Sequence, residues 1–291
     1  MLQTYEANEW DNHFPDSTQK QAISALEEGQ ILYFPQLDFS LLAEEQQFLS
    51  PDYVDTKAKH VSYLSNHGKL WGVRHLTDQQ HIQLQSMLER FARSSYRLIQ
   101  NMLTPYTAHL IMGRTSFRPV EVAHRKTSYR KDDTRLHVDA FPSAPNQGMR
   151  ILRVFSNINP HGKDRIWRIG ESFEKVAEQF IPKINAPKLG TRALLRFLRI
   201  TKSYRTLYDH YMLRMHHAMK ADNRYQQQAS QREVRFPSGS TWVVQTDHVS
   251  HASMQGQYAL EQTFYLPVKA MFREELAPLS VLERMLQMKL S

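Results

Sequence analysis

The stretch Arg135-Leu136-His137-Val138-Asp139-Ala140-Phe141 carries a histidine and an aspartate two positions apart. Side chains on an extended strand alternate faces, so His137 and Asp139 would point the same way. Two such donors are most of a 2-His-1-carboxylate facial triad, the ligand set of non-haem iron oxygenases. That set leaves coordination positions open for a chelating 2-oxoacid and for dioxygen. The ordinary reading is a strand with two hydrogen-bonded polar side chains. In a chain with 14 histidines the pair alone is a weak signal, so a third ligand must decide.

That ligand has to come from a distant strand. Thr246-Asp247-His248-Val249-Ser250-His251 offers two histidines three positions apart. On one unbulged strand they face opposite ways, so only one can join the pair. Both follow Ser240-Thr241-Trp242-Val243-Val244, which reads as a buried strand leading to the site. His251 is preferred, because it stands just before Gly256 and the last strand-like run, Gln257 to Pro267. His248 stays as the alternative.

Composition narrows the chemistry. The 291 residues include no cysteine, which excludes disulfides, thiolate nucleophiles, Fe–S clusters and cysteine-bound zinc. A metal here must be held by His, Asp and Glu. No P-loop, G-x-G-x-x-G, G-x-S-x-G or H-E-x-x-H pattern competes. No apolar run approaches the ~20 residues of a membrane-spanning helix. The opening residues lack the basic and apolar regions of a signal peptide, so a cytoplasmic location is expected. Net charge is +8, and the segment from Lys183 to Arg224 carries ten Lys/Arg against two Asp. A basic surface that concentrated suggests a polyanionic partner.

The elements that must position these residues follow from periodicity. Asp16 or Ser17 caps a helix that ends at Gly29, and Ile31-Leu32-Tyr33-Phe34 reads as a buried strand. A T-x-x-Q capping box at Thr77 and Gln80 opens a helix running to Met102. From about Leu110 the pattern turns to strands: Arg114 to Arg125, Thr134 to Phe141, and Met149 to Pro160. Glu171 to Phe180 looks helical, the basic segment is a long helix or helix pair, and Val234 to Val268 returns to strands. Ser280 and Glu283 form a capping box for a closing helix. The expected fold is α+β, a single domain over residues 1–291 with a double-sheet jelly-roll core. Its parts are a mostly helical stretch (1–109), core strands (110–160 and 232–270), a helical insertion (161–231) and a C-terminal helix (271–291).

Arg135 to Phe173 resembles the 3-deoxy-D-manno-oct-2-ulosonic acid (Kdo) hydroxylases. The specific features are Arg150, Arg153, Asn157-Ile158-Asn159-Pro160, Trp167 and Gly170-Glu171. Thr246 to Pro267 looks like that family's distal block, and the likeness runs from about Arg114 to Pro267. The resemblance implies a double-stranded β-helix (jelly-roll, cupin-like) and an Fe(II)/2-oxoglutarate dioxygenase that uses O2. It implies hydroxylation at C3 of a Kdo residue on Kdo-lipid A, the lipopolysaccharide precursor. The product sugar is D-glycero-D-talo-oct-2-ulosonic acid, and 2-oxoglutarate leaves as succinate and carbon dioxide. His137, Asp139 and His251 match the iron ligands. Many dioxygenases place an arginine about ten residues after the distal histidine to pair the 2-oxoglutarate C5 carboxylate. Here that neighbourhood holds Glu261, Gln262 and Thr263. Arg153 or Arg118 is the substitute expected, with Gln262 adding a hydrogen bond.

The basic segment, about residues 190–224, then acquires a purpose. Arg192, Arg196 and Arg199 share one helical face, flanked by Leu194, Leu195, Phe197 and Leu198. Such a face suits peripheral contact with the inner membrane where an anionic lipid substrate resides. Met212, Met215 and Met219 read as core. Aromatic residues are not interleaved with the basic run, so a nucleic-acid partner is not expected. Two alternatives stand: a dioxygenase of the same fold acting on another acidic small molecule, and a metal-free polyanion-binding protein.

Overall fold

The computed structural model describes residues 2–55, 58–123, 127–187, 197–198, 201 and 203–291. Among them eleven strands form two sheets. In chain order they are β1 (Leu2–Thr4), β2 (Ile31–Phe34), β3 (Val61–Leu64), β4 (Lys69–Trp71), β5 (Ile111–Arg118) and β6 (Arg150–Asn157). After them come β7 (Arg165–Ile169), β8 (Arg232–Phe236), β9 (Thr241–Gln245), β10 (His251–Gln255) and β11 (Ala259–Leu266). The larger sheet runs β1-β2-β9-β6-β11-β5-β3-β4 and the smaller runs β10-β7-β8. Only the β1–β2 pair is parallel among these ladders.

Strand alternation decides what lies between the sheets. All eight residues of β6 are buried, because both of its faces are covered. Leu152 and Val154 pack outward with Ile23, Leu26, Leu98 and Ile99 of helices α1 (Asp16–Glu27) and α2 (Asp78–Met102). Phe155 points inward and meets Trp167 and Phe236 of the smaller sheet. The two facing sheets are the double-stranded β-helix expected for the core. A second cluster joins α3 (Phe173–Phe180), α4 (Leu207–Ala221) and α6 (Pro278–Leu286) to Leu136 and Val138. Met212, Met215 and Met219 belong to that cluster and are at most 2% exposed, so they are core as expected. A short helix, α5 (Asn223–Gln228), closes the insertion.

Several local expectations change. The stretch 1–109 is less helical than expected, since β1 to β4 extend the larger sheet at both edges. The segment 161–231 is not wholly helical, because β7 pairs with β8 and β10 at the centre of the smaller sheet. The box at Thr77 and Gln80 forms, with both reciprocal bonds made. The box at Ser280 does not: α6 starts at Pro278, and Glu283 instead accepts bonds from Lys289 and from the Leu290 amide. Helix α1 likewise begins at Asp16 with no side-chain cap. Arg192, Arg196 and Arg199, like Leu194 and Leu195, lie outside the described residues. Among the described residues no helix is long and apolar enough to cross a membrane.

Candidate functional site

The segment bearing His137 and Asp139 was expected to be a strand. It makes one isolated bridge instead, His137 with His251. Their amides and carbonyls exchange bonds of 3.0 and 2.9 Å, and the Asp139 amide donates to Thr246 O at 2.8 Å. The free edge of the segment meets side chains where a ladder would need another strand. Gln226 Oε1 accepts from the Leu136 amide at 2.7 Å, while its Nε2 donates to Leu136 O at 3.0 Å. His216 Nδ1 donates to Val138 O at 2.8 Å. One carboxamide from α5 and one imidazole from α4 thus satisfy backbone groups that another strand would have paired.

His137, Asp139 and His251 each offer a ligand atom, and these atoms all lie within 4.8 Å of one another. His137 Nε2 stands 3.6 Å from Asp139 Oδ1. His137 Nδ1 bonds Arg135 O at 2.7 Å and His251 Nδ1 bonds Val249 O at 2.8 Å. A carbonyl can only accept, so each Nδ1 carries the proton and each Nε2 keeps its lone pair. Carbonyl-oriented imidazoles are the usual outer support of metal ligands. Trp167 stacks on the His251 ring at 5.1 Å and 22°.

Electrostatics set the same state. Burial holds the His137 ring far below its ordinary pKa, and Lys220 adds to the effect. Burial also lowers His251. For Asp139 burial opposes ionisation, but Arg153, His251, Thr246 and His216 together outweigh it and bring the carboxyl to about 2. Two neutral imidazoles and a carboxylate are the form that binds a divalent cation. Asp139 Oδ2 is buried without a hydrogen-bond partner among the described residues, although Arg153 Nη1 stands 3.2 Å away. A metal ion would satisfy that oxygen. The other candidate, His248, lies against Phe173 and is absent from this cluster.

A cavity of about 70 Å³ adjoins the three residues, lined also by Arg118, Arg153, Arg165, Trp167, Ser253 and Glu261 among others. Arg118 donates Nε and Nη2 to Glu261 Oε2 at 2.9 and 2.6 Å. Arg153 Nη1 sits between Glu261 Oε1 at 3.1 Å and Asp139 Oδ2. Both arginines therefore face acidic partners already. Gln262 lies on the opposite face of β11 from Glu261, bonded to Thr115, and does not line the cavity.

Arg165 was not singled out from the sequence. It is 3% exposed and donates to two neutral groups, Gly256 O at 3.2 Å and Ser253 Oγ at 3.0 Å. Its Nε is buried without a partner, and no carboxylate lies within ion-pair reach among the described residues. Burial, with the like charge of Arg118, pulls its pKa down to about 10, so it stays charged at neutral pH. A buried, unpaired guanidinium calls for an anionic ligand. The signal in sequence was the alternation Arg165-Ile166-Trp167, which turns Arg165 and the ring under His251 to one face.

The sequence profile of the 3-deoxy-D-manno-oct-2-ulosonic acid (Kdo) hydroxylases matches residues 9–289. Among solved structures, the Kdo hydroxylase KdoO, a non-haem Fe(II) α-ketoglutarate-dependent dioxygenase, is similar over nearly the whole chain. Its complex with α-ketoglutarate and Fe(III) superposes with a TM-score of 0.96 at 46% identity, over 99% of this chain and 97% of that one. KdoO with cobalt(II) gives 0.97 and 47%, with the same coverage. KdoO with succinate and Fe(III) gives 0.96 and 46%, again over 99% and 97%. A comparison with curated proteins returned no match.

Proposed function

The chain belongs to the Kdo hydroxylase family, and on that premise we propose that it is an Fe(II)/2-oxoglutarate-dependent dioxygenase acting at C3 of a Kdo residue of Kdo-lipid A. His137, Asp139 and His251 hold the iron. Arg165, aided by Ser253, takes the C5 carboxylate of 2-oxoglutarate. The observation that carries this reading is the convergence of two neutral imidazoles and one carboxylate within 4.8 Å, beside a buried guanidinium that lacks an acid among the described residues.

Iron bound there supplies the oxidation: one O2 is consumed, 2-oxoglutarate leaves as succinate and carbon dioxide, and the sugar gains a hydroxyl. The chain's own contribution is placement and charge. Carbonyls fix both imidazole tautomers, Arg153 keeps Asp139 ionised, and Trp167 and Phe155 wall the cavity with apolar surface. Arg153 and Arg118 serve the 2-oxoglutarate carboxylate less well than Arg165, because each already faces Glu261. Gln262 plays no part in this reading. A polyanion-binding protein without chemistry gains no support from a buried donor set of this kind. All the strands and helices named are read as one domain around one site.

Peripheral attachment to the cytoplasmic face of the inner membrane is part of the proposal. Within the basic 190–224 segment, Phe197 and Leu198 are 81% and 54% exposed. Apolar side chains inside a basic run suit shallow insertion into an anionic surface. Loss of vesicle sedimentation on reversing Arg196 and Arg199 supports this, and unchanged sedimentation refutes it. The reaction itself is tested by mass spectrometry of lipopolysaccharide from cells with and without the protein. One extra oxygen on an inner-core Kdo residue is expected only with it, and identical masses refute the assignment.

A further inference from the structure

Arg150 is one of the residues that carry the family likeness, yet it does not line the metal-site cavity. It opens β6 and is 0% exposed, as is Asp247. Its Nε donates to Asp247 Oδ2 at 2.7 Å, and its Nη1 donates to Met271 Sδ at 3.1 Å. On β6 it shares a face with Leu152 and Val154, the face that α1 and α2 cover. The guanidinium is therefore packed behind the larger sheet, on the far side from the metal ligands.

Asp247 lies in the turn between β9 and β10, and that turn serves two of the three ligands. The Thr246 carbonyl accepts from the Asp139 amide at 2.8 Å, and the Val249 carbonyl accepts from His251 Nδ1 at 2.8 Å. The turn closes on itself through the His248 and Val249 amides, which donate to Gln245 O at 3.1 and 3.0 Å. Neighbouring residues of β6 tie it to the larger sheet. Ile151 O accepts from the Thr246 amide at 3.0 Å, and Arg150 holds the Asp247 carboxylate. The Thr246 carbonyl and the Asp247 amide belong to one planar peptide unit, so fixing Asp247 fixes the direction of the oxygen that receives Asp139.

Stability alone does not account for the pair. Burial pushes the Asp247 carboxyl up while Arg150 pulls it down. Desolvation offsets most of the attraction between buried charges, and an apolar pair of equal size would serve as well. What the charges add is direction, because a guanidinium–carboxylate bond constrains orientation where apolar contact does not.

Resting on the metal-site reading above, we propose that Arg150 and Asp247 are positioning residues. They aim the Thr246 and Val249 carbonyls, and through these oxygens they hold Asp139 and His251 in coordination geometry. The metal site is thus set from behind the sheet, by a pair that touches none of its ligands.

The test uses the full metal-free chain with Co(II) as the probe. It compares wild type, the charge-free double variant Arg150→Met/Asp247→Leu, and Asp247→Asn. Urea denaturation reads stability, titration reads Co(II) affinity, and the visible spectrum of bound Co(II) reads its geometry. The double variant should unfold close to the wild-type urea concentration, because both partners are replaced together. It should bind Co(II) about ten- to a hundredfold more weakly, with a shifted spectrum, as expected for a lost outer support. Asp247→Asn keeps an oxygen for Arg150 Nε and should recover part of that affinity. A double variant with wild-type affinity and spectrum overturns the proposal. So does one that no longer folds, since the pair is then a general stability element. Wild type that binds no Co(II) overturns the metal reading itself, and this inference with it, which sets that failure apart from the other two.

Discussion

Replacing Arg165 with methionine should weaken 2-oxoglutarate binding and at the same time spare or raise the stability of the ligand-free protein. The guanidinium is 3% exposed and has no acid partner among the described residues, so the ligand-free protein holds a poorly compensated charge. Its pKa falls from 12.5 to about 10, which corresponds to about 3 kcal/mol of charge burial at ~1.4 kcal/mol per unit. Losing its bonds to Gly256 O and Ser253 Oγ returns about 1 kcal/mol each. The net effect on the ligand-free protein is a gain of about 1 kcal/mol. With co-substrate the sign reverses: one charge-assisted bond to the C5 carboxylate is worth about 1.5–3 kcal/mol, so the dissociation constant should rise roughly ten- to a hundredfold. Anaerobic titration of the Fe(II)-loaded protein reads the affinity, and urea denaturation of the metal-free protein reads the stability. As a control, 2-oxobutyrate, which lacks the second carboxylate, should bind wild type and variant alike. Unchanged 2-oxoglutarate affinity, or a loss of stability in parallel with affinity, would refute the reasoning.

His137→Ala, Asp139→Ala and His251→Ala should each abolish stoichiometric Fe(II) binding, whereas His248→Gln should retain it; titration with Fe(II) under argon separates them. Gln226→Ala removes the carboxamide that brackets Leu136, so iron affinity should fall about tenfold although Gln226 touches no metal ligand. Burial depresses His248 to about 3, so it stays neutral in the fold while the unfolded chain takes up a proton below pH ~6.5. Its contribution is present above that pH and is lost as pH falls toward 3. Between pH 7 and 5 wild type should lose about 2 kcal/mol more than His248→Gln in paired denaturation curves, and parallel pH profiles would contradict this.

How much of this was legible depended on the range of the pattern. His137 and Asp139 announce themselves because two positions suffice to put them on one face, and the bridge to His251 preserves that geometry without a strand. His251 over His248 followed from its place before the last strand, since β10 begins at that residue. The cage around them was harder to read. Gln226 and His216 imitate a neighbouring strand from about ninety and eighty residues away, and no local periodicity records such a contact. Arg165 sits in a five-residue strand between a loop and a helix, and its basic flanks disguised β7 as part of the insertion. Gln262 looked suitable by type alone. Its register against Thr115 and Val154 turns it to the outer face. The box at Ser280 failed because the last residues of the chain claimed Glu283 first.

The most direct test supplies the purified protein with Fe(II), 2-oxoglutarate and Kdo-lipid A under isotopically labelled dioxygen. One labelled atom should appear on the Kdo residue and the other in succinate, with one 2-oxoglutarate consumed per hydroxylation. An unmodified sugar, or a hydroxyl whose oxygen comes from water, would contradict the account.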